Sequence, residues 1–112
     1  LDEMGWYGGN SEEKTHPVRQ KKPNAWGFYD MHGNVLEWCM DWFGDYETPA
    51  TKGVGEPEAE PVNDPIGPRD GMVRILRSGG WYDDPQLCRS ANRWIRQPAR
   101  AYDVGFRVVV DQ

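Results

Sequence analysis

The sequence has few cysteines and no long apolar segment. Its two cysteines, Cys39 and Cys88, are too few for a disulfide framework. They could pair with each other or both remain reduced, so cysteine usage leaves the cellular compartment open. No apolar run approaches the roughly 20 residues that are needed to cross a bilayer. We therefore expect no membrane partner, and the sequence assigns no localisation.

An excess of positive charge is also absent. Thirteen Lys and Arg residues stand against 18 Asp and Glu residues, which gives a formal net charge of −5 with the two signs interspersed. Proteins that bind nucleic acids generally need a positive surface to capture phosphates. We therefore expect no nucleic-acid partner.

Glycine, proline and aromatic residues are abundant instead. The chain contains 13 glycines, nine prolines and six tryptophans. Glycine and proline at this density are unfavourable in a helical bundle, whereas tryptophan can bury a large area and keep a polar atom. The composition predicts an irregular α+β fold of short antiparallel strands, with long loops and little helix.

Several segments have the pattern of strands. Apolar and polar residues alternate from residue 36 to residue 42, and this alternation places Met40 on the apolar face. The run 73–77 predicts a second strand, and the closing run 104–110 is apolar enough to be buried in a sheet. Residues 47–71 hold five of the nine prolines and predict a long surface loop.

Four blocks of the sequence together resemble one known family, in the order in which that family carries them. The blocks are residues 24–38 (Asn-Ala-Trp-Gly-Phe-Tyr-Asp-Met-His-Gly-Asn-Val-Leu-Glu-Trp), 74–81 (Arg-Ile-Leu-Arg-Ser-Gly-Gly-Trp), 88–93 (Cys-Arg-Ser-Ala-Asn-Arg) and 105–107 (Gly-Phe-Arg). They resemble the C-terminal part of the formylglycine-generating-enzyme-like, or sulfatase-modifying-factor-like, family. The resemblance implies an irregular fold related to the C-type lectin fold, with residues 1–112 as the C-terminal part of the domain and residues 47–71 as a loop insertion. Because a full domain of that family is longer, we expect association with an N-terminal portion or with a second copy.

The resemblance also implies a calcium site in the first block. The implied ligands are the Asp30 side chain, the carbonyl oxygens of Gly33 and Val35, and the Glu37 carboxylate. Calcium prefers six to eight hard oxygen ligands and readily accepts backbone carbonyls. The spacing of the residues alone favours the alternative that Asp30 caps a turn and Glu37 is a solvated strand residue.

The resemblance argues against catalysis by this segment. Catalytic members of the family bind copper through two cysteines that follow a Gly-Gly-Ser turn. Here the turn reads Ser-Gly-Gly at residues 78–80, Asp83 lies near the first cysteine position, and Cys88 lies too close to Arg93 for the second. We therefore expect no two-thiolate site suited to Cu(I) and no copper cofactor. We expect no catalytic or cofactor-binding residue in this chain.

Two functions stay open. In the first, the chain is a non-catalytic, calcium-stabilised module that binds a protein or a small-molecule ligand. Some relatives present a ligand surface in the region that corresponds to residues 81–102, and the candidate contacts here are Tyr82, Asp83, Asp84, Gln86, Trp94 and Tyr102. An alternative for the tryptophans of this region is that they are core residues. In the second function, the chain is part of a formylglycine-generating or related oxidoreductase whose catalytic groups lie elsewhere in the parent chain.

Arg93 and Arg107 lie in matched blocks and have a structural interpretation. Arginine can tie loops together by bidentate hydrogen bonds to carboxylates and by bonds to carbonyls. A loop-rich fold needs such ties, so we expect both side chains to hold loops together.

Overall fold

The structure, a computed structural model, describes residues 1–44 and 67–110. Most of the predicted proline-rich loop, residues 47–66, lies outside the described residues. The described elements are β1 (Leu36–Trp42), β2 (Arg74–Arg77), a 3₁₀ helix (Pro85–Cys88), β3 (Trp94–Arg96) and β4 (Val104–Gly105). The predicted irregular fold of short strands, long loops and little helix is confirmed.

The four strands form one sheet in the order β3-β2-β1-β4. Strands β1 and β2 are antiparallel, and so are β2 and β3, whereas β4 runs parallel to β1. The N–H of Leu36 donates to the carbonyl of Asp103 (3.0 Å), so the chain is fixed beside β1 just before β4 begins. The predicted antiparallel pairing is therefore found for β1 with β2 and for β2 with β3, whereas the pairing of β4 with β1 is parallel.

The predicted alternation along β1 is wrong at its far end. The pairing register of β1 with β2 shifts between Trp38 and Trp42, and such an irregularity changes which face a side chain occupies. As a result Met40, which the alternation assigned to the buried face, has 88% of its surface exposed.

The prediction of a buried terminal strand over residues 104–110 is also wrong. Only Val104–Gly105 pairs with the sheet, and the apolar residues that follow are exposed: Phe106, Val108, Val109 and Val110 at 76–83%. The reason is that β4 is an edge strand, and no described residue pairs with the chain beyond Gly105. We call these four residues the C-terminal apolar strip.

Buried polar groups outnumber buried apolar ones in the described part of the chain. The buried apolar residues are Leu36, Ile75, Leu76 and Cys88, and the buried polar residues are Ser11, Asp30, Asn34, Ser78, Asp83 and Asp103. A buried polar group is unfavourable unless it is hydrogen-bonded. Hydrogen bonds between loops therefore hold much of the fold together. Each buried carboxylate is expected to have hydrogen-bond donors as partners.

No helix in residues 1–44 or 67–110 combines the length and apolar character that crossing a membrane requires.

Candidate functional site

The backbone of residues 30–37 forms a tight loop that leads into β1. Three residues of this loop have positive φ angles: Asp30 (54°), Gly33 (78°) and Asn34 (68°). Gly33 is required for two reasons, because its φ is left-handed and because a Cβ there would lie 2.1 Å from the carbonyl oxygen of Trp6. The loop is thus pressed directly against the N-terminal segment.

Hydrogen bonds fix this loop to distant parts of the chain. The Asn34 N–H donates to the Trp6 carbonyl (2.7 Å), and the Gly33 N–H donates to the Ser78 carbonyl (2.8 Å). The Asn34 side chain bonds His16 twice, accepting from its N–H and donating to its carbonyl, each at 2.9 Å. Asn34 is therefore a structural residue of the loop, and its side-chain oxygen is already occupied.

Asp30 is a buried carboxylate with one oxygen unused. Only 8% of its surface is exposed, and Oδ2 accepts a hydrogen bond from the Arg19 N–H (2.8 Å). Oδ1 is buried and has no hydrogen-bond partner in the structure. A buried charge without a partner is strongly unfavourable, so this oxygen is suited to a cation. The capping alternative accounts for Oδ2 but leaves Oδ1 unexplained.

Glu37 lies at the start of β1 and is held by Arg107. The guanidinium donates from Nε to Glu37 Oε2 (2.7 Å) and from Nη2 to Oε1 (2.5 Å). The same group donates to the carbonyl oxygens of Tyr29 (3.1 Å) and Asp30 (2.9 Å). The Glu37 carboxylate raises the pKa of Arg107 above its usual value, chiefly through this hydrogen bonding. The expected role of Arg107 as a tie between loops is confirmed by these contacts.

Three of the four predicted calcium ligands line one cleft. Its volume is about 390 Å³, and Asp30, Val35, Glu37 and Arg107 are among its lining residues. Gly33 does not line it, and the Gly33 carbonyl accepts a hydrogen bond from Ser78 Oγ (3.2 Å). The two carboxylates and Val35 therefore line the same cleft, and Gly33 is not one of its lining residues.

The donor set of this cleft fits a hard cation. Within the residues that the structure describes, no group of three or more His, Cys, Asp or Glu side chains is placed to hold a metal ion. An ion in the cleft would therefore have to combine Asp30 and Glu37 with backbone carbonyls and water. Calcium accepts such a mixed oxygen set, whereas zinc or copper would require nitrogen or sulfur ligands.

Two further buried carboxylates, Asp83 and Asp103, accept hydrogen bonds from neighbouring groups. Asp103 accepts from Arg96 at both oxygens (2.9 and 3.1 Å) and from the Tyr82 hydroxyl (2.9 Å). The hydrogen bonds from Arg96 lower the pKa of Asp103, and burial together with Asp103 raises the pKa of Tyr82 to about 12. Asp83 accepts from the Gly80 N–H (2.8 Å), and burial raises its pKa. Asp103 and Arg96 were not predicted, and no local pattern in the sequence indicates their pairing.

The predicted ligand surface is divided by the structure. Tyr82 is 44% and Tyr102 is 85% exposed. Asp84 at the start of the 3₁₀ helix and Gln86 within it are also exposed. Asp83 lies beneath this surface at 5% exposure. Trp94, in β3, is half-buried. The exposed part of the predicted surface therefore consists of four residues, and we call Tyr82, Asp84, Gln86 and Tyr102 the tyrosine-acid surface.

The two cysteines are free and are poor thiolates. Cys88 is 1% exposed, and burial raises the pKa of its thiol to about 11. Cys39 is half-buried, and burial is also the main cause of its raised thiol pKa. Thiolates are the metal-binding form of cysteine, and burial disfavours that form at both side chains.

Arg93 and the two histidines make contacts within the described part of the fold. Arg93 donates from Nη1 to the Gly44 carbonyl (3.0 Å), which confirms its expected role as a tie between loops. His16 stacks on Trp6 with ring centroids 3.7 Å apart, and His32 Nδ1 lies 2.7 Å from the carbonyl oxygen of Cys88.

Comparison with known proteins agrees with this fold and these motifs. The family model for the sulfatase-modifying factor enzyme 1-like domain matches residues 3–112. The chain is 41% identical over 96 residues to the serine/threonine-protein kinase pkn1 of Chlamydia pneumoniae, covering 83% of this chain and 14% of the kinase. It is 35% identical over 105 residues to the formylglycine-generating enzyme of Thermomonospora curvata, covering 87% of this chain and 31% of the enzyme.

A solved structure has the same fold. Treponema denticola variable protein 1 superposes with a TM-score of 0.76 and 40% identity, over 95% of this chain and 35% of that protein. The chain thus spans about a third or less of the length of these relatives. On the match over residues 3–112 and these identities, the chain belongs to the formylglycine-generating-enzyme-like, or sulfatase-modifying-factor-like, family.

Proposed function

We propose that this chain is a non-catalytic, calcium-stabilised module that binds a protein or a small-molecule ligand. The observation that carries the calcium part is the buried Oδ1 of Asp30, which has no hydrogen-bond partner. The Glu37 carboxylate lines the same cleft. One divalent cation would satisfy Oδ1 and neutralise Asp30, and it could also contact Glu37, whose charge Arg107 already balances.

A cation at this point would stabilise the fold rather than carry out chemistry. The loop that holds Asp30 contacts the N-terminal segment through Trp6 and the β2-β3 connection through Ser78. An ion that fixes the loop therefore also fixes the junction of these segments. Because calcium binds the folded chain and not the unfolded one, it should raise the melting temperature by mass action.

The binding part of the proposal is supported by the tyrosine-acid surface. Exposed tyrosines contribute strongly to protein interfaces because they bury a large area at a small cost in conformational entropy. Tyr82 is anchored through its hydroxyl to Asp103, which precedes β4. Tyr102 immediately precedes Asp103 and is 85% exposed. Tyr82 therefore contacts Asp103 through its hydroxyl, and Tyr102 is the residue that precedes Asp103 in sequence.

The C-terminal apolar strip supports association with a further polypeptide segment. Phe106 and Val108 to Val110 follow an edge strand and are at least 76% exposed. An apolar edge of this kind is a common site of strand addition. We propose that a preceding portion of the domain or a second copy covers it. If a second copy covers it, sedimentation of the 112-residue chain at increasing concentration should show association that Val108→Lys weakens. A monomer at all concentrations would contradict cover by a second copy.

The alternative function is that this chain is part of a formylglycine-generating or related oxidoreductase. The 35% identity to the Thermomonospora curvata enzyme favours it. The catalytic groups would then lie elsewhere in the parent chain, because Cys88 is the only cysteine in residues 78–93 and the catalytic members carry a pair. Copper binding by the whole parent protein, with none by the isolated chain, would favour this alternative.

The calcium proposal is tested by thermal melting in calcium and in excess chelator. We expect calcium to raise the melting temperature by several degrees in the native chain and to have no effect on Asp30→Ala. Asp84→Ala is the matched control, because it makes the same change at an exposed carboxylate. Equal melting of the native chain in both buffers would refute the calcium site.

A further inference from the structure

The Arg107 guanidinium joins the two ends of the proposed calcium loop. It holds both oxygens of Glu37 at 2.7 and 2.5 Å, and it donates to the carbonyls of Tyr29 and Asp30 at 3.1 and 2.9 Å. Glu37 ends the loop and Asp30 begins it. A single side chain, 70 residues from Glu37 in sequence, therefore ties the Glu37 carboxylate to the Asp30 backbone.

The arrangement leaves room for a cation on Glu37. An ionised carboxylate has about four lone-pair positions, and the bidentate pair with Arg107 uses two of them. The Glu37 side chain is 19% exposed and the Arg107 side chain 34% exposed, so solvent screens the repulsion between guanidinium and cation. The same pair removes the rotational freedom that a glutamate side chain would otherwise lose on binding an ion.

Arg107 also helps to direct the unpartnered oxygen of Asp30. The Asp30 backbone is in the left-handed region with φ 54°, and its carbonyl is held by Arg107 Nη2. Its other carboxylate oxygen, Oδ2, is held by the Arg19 N–H. With the carbonyl and Oδ2 both fixed, Oδ1 has one direction available.

We infer that Arg107 is the positioning residue of the calcium site: its guanidinium holds Glu37 and the Asp30 backbone in the geometry that binds the ion. This inference rests on the proposed calcium binding. Lysine keeps the charge but cannot make the bidentate pair. Arg107→Lys should therefore lose positioning while the repulsion that a positive charge exerts on the ion remains.

The test measures calcium affinity by titration calorimetry for the native chain, Arg107→Lys and Arg96→Lys. Arg96 is the matched control, because it makes an equivalent bidentate pair with Asp103 outside the cleft. We expect Arg107→Lys to weaken calcium binding by roughly tenfold, the usual size for loss of a residue that orients a metal ligand. Arg96→Lys should lower the melting temperature but leave the affinity within about twofold, an effect too small to arise from a lost orienting residue.

Terbium(III) provides a readout that a merely structural role would not change. Its luminescence lifetimes in H₂O and D₂O count the water molecules bound to the ion. Loss of Glu37 as an ordered ligand in Arg107→Lys should increase that count, and Arg96→Lys should leave it unchanged. Equal affinity and equal hydration in native chain and Arg107→Lys would overturn the inference, as would tighter binding by the variant. No calcium binding by the native chain would instead refute the proposed function.

A measurement on the native chain covers the case in which Arg107→Lys does not fold. The Nε–H of Arg107 can be followed by NMR during calcium addition. If Arg107 positions Glu37, this proton stays hydrogen-bonded and protected from exchange in the calcium-bound state. Rapid exchange of Nε–H on calcium addition would show that the ion displaces Arg107 and would overturn the inference.

Discussion

Asp30 and Asp103 are both buried carboxylates, at 8% and 3% exposure, but their surroundings differ. Asp103 uses both oxygens, with Arg96 and the Tyr82 hydroxyl as donors. Asp30 uses Oδ2 only, and its Oδ1 is buried without a partner. Burial alone therefore does not separate a structural acid from a candidate ligand; the number of satisfied oxygens does.

The difference also predicts how each carboxylate responds to its environment. The charge on Asp103 is neutralised by Arg96 within the chain, so its contribution to stability needs nothing added. Asp30 lines the cleft, and its Oδ1 has no partner. We therefore expect its contribution to stability to depend on a cation in solution. Calcium-independent and calcium-dependent stability can therefore be assigned to different residues of one small fold.

The largest effect is expected from the loop backbone that directs Asp30. Gly33→Ala places a Cβ 2.1 Å from the Trp6 carbonyl oxygen at a φ of 78°. We expect a loss of about 3 kcal/mol or more in the free energy of unfolding, because the clash is with backbone and adds to the left-handed strain. Urea unfolding measures it.

Gly27→Ala is the matched control for this change. Gly27 has a similar φ of 83°, but a Cβ there would meet nothing within 4 Å. Gly27→Ala should therefore lower the free energy of unfolding by only about 1–2 kcal/mol, the cost of a Cβ in the left-handed region. Equal losses at both glycines would show that the contact of the loop with Trp6 is not tight.

The next largest effect is expected from Asp103→Asn, which removes the charge that Arg96 neutralises. We expect a loss of roughly 2–3 kcal/mol, typical of a charged hydrogen bond, in calcium and in chelator alike. Because the folded-state pKa of Asp103 is lowered, its contribution is present above the ordinary aspartate pKa of about 3.9 and is lost as pH falls through the lower folded value.

Urea unfolding from pH 7 to pH 2.5 checks this pH dependence. The gap between the native chain and Asp103→Asn should be largest at neutral pH and should narrow in acid. A gap that widens as the pH falls would contradict the assignment.

Asp30→Asn should show the opposite dependence on the buffer. In chelator it should leave the free energy of unfolding unchanged or raise it by up to about 1 kcal/mol, since a neutral amide is less unfavourable to bury than an unpaired charge. In calcium it should melt below the native chain. Melting curves in the two buffers measure both effects. A large loss in chelator would indicate that Asp30 is a structural acid like Asp103.

The smallest effects are expected from the two tyrosines. Tyr82→Phe removes the hydroxyl that bonds Asp103 and should lose about 1 kcal/mol, or about 4–8 °C in melting temperature. Tyr102→Phe removes the hydroxyl of an exposed side chain and should change the free energy of unfolding by no more than about 0.5 kcal/mol. Differential scanning calorimetry separates the two. Equal changes would show that the hydrogen bond from Tyr82 to Asp103 is not formed in solution.

Local patterns of the sequence predicted part of this fold and one of the two buried acids compared above, Asp30. The alternation after Asn34 predicted β1, and the block from Asp30 to Glu37 indicated a loop with two carboxylates. The pairing of Asp103 with Arg96 depends on where the chain returns beside β1, which no local pattern encodes. The exposure of Met40 follows from a register shift in the sheet, and the alternation could not predict it.

Calorimetric titration of the 112-residue chain with calcium at neutral pH tests the proposed site most directly. We expect one ion bound per chain, and no saturable binding by Asp30→Ala under the same conditions. Asp84→Ala should bind as the native chain does. No binding by the native chain, or unchanged binding by Asp30→Ala, would contradict the claim that the unpartnered carboxylate oxygen of Asp30 marks a calcium site.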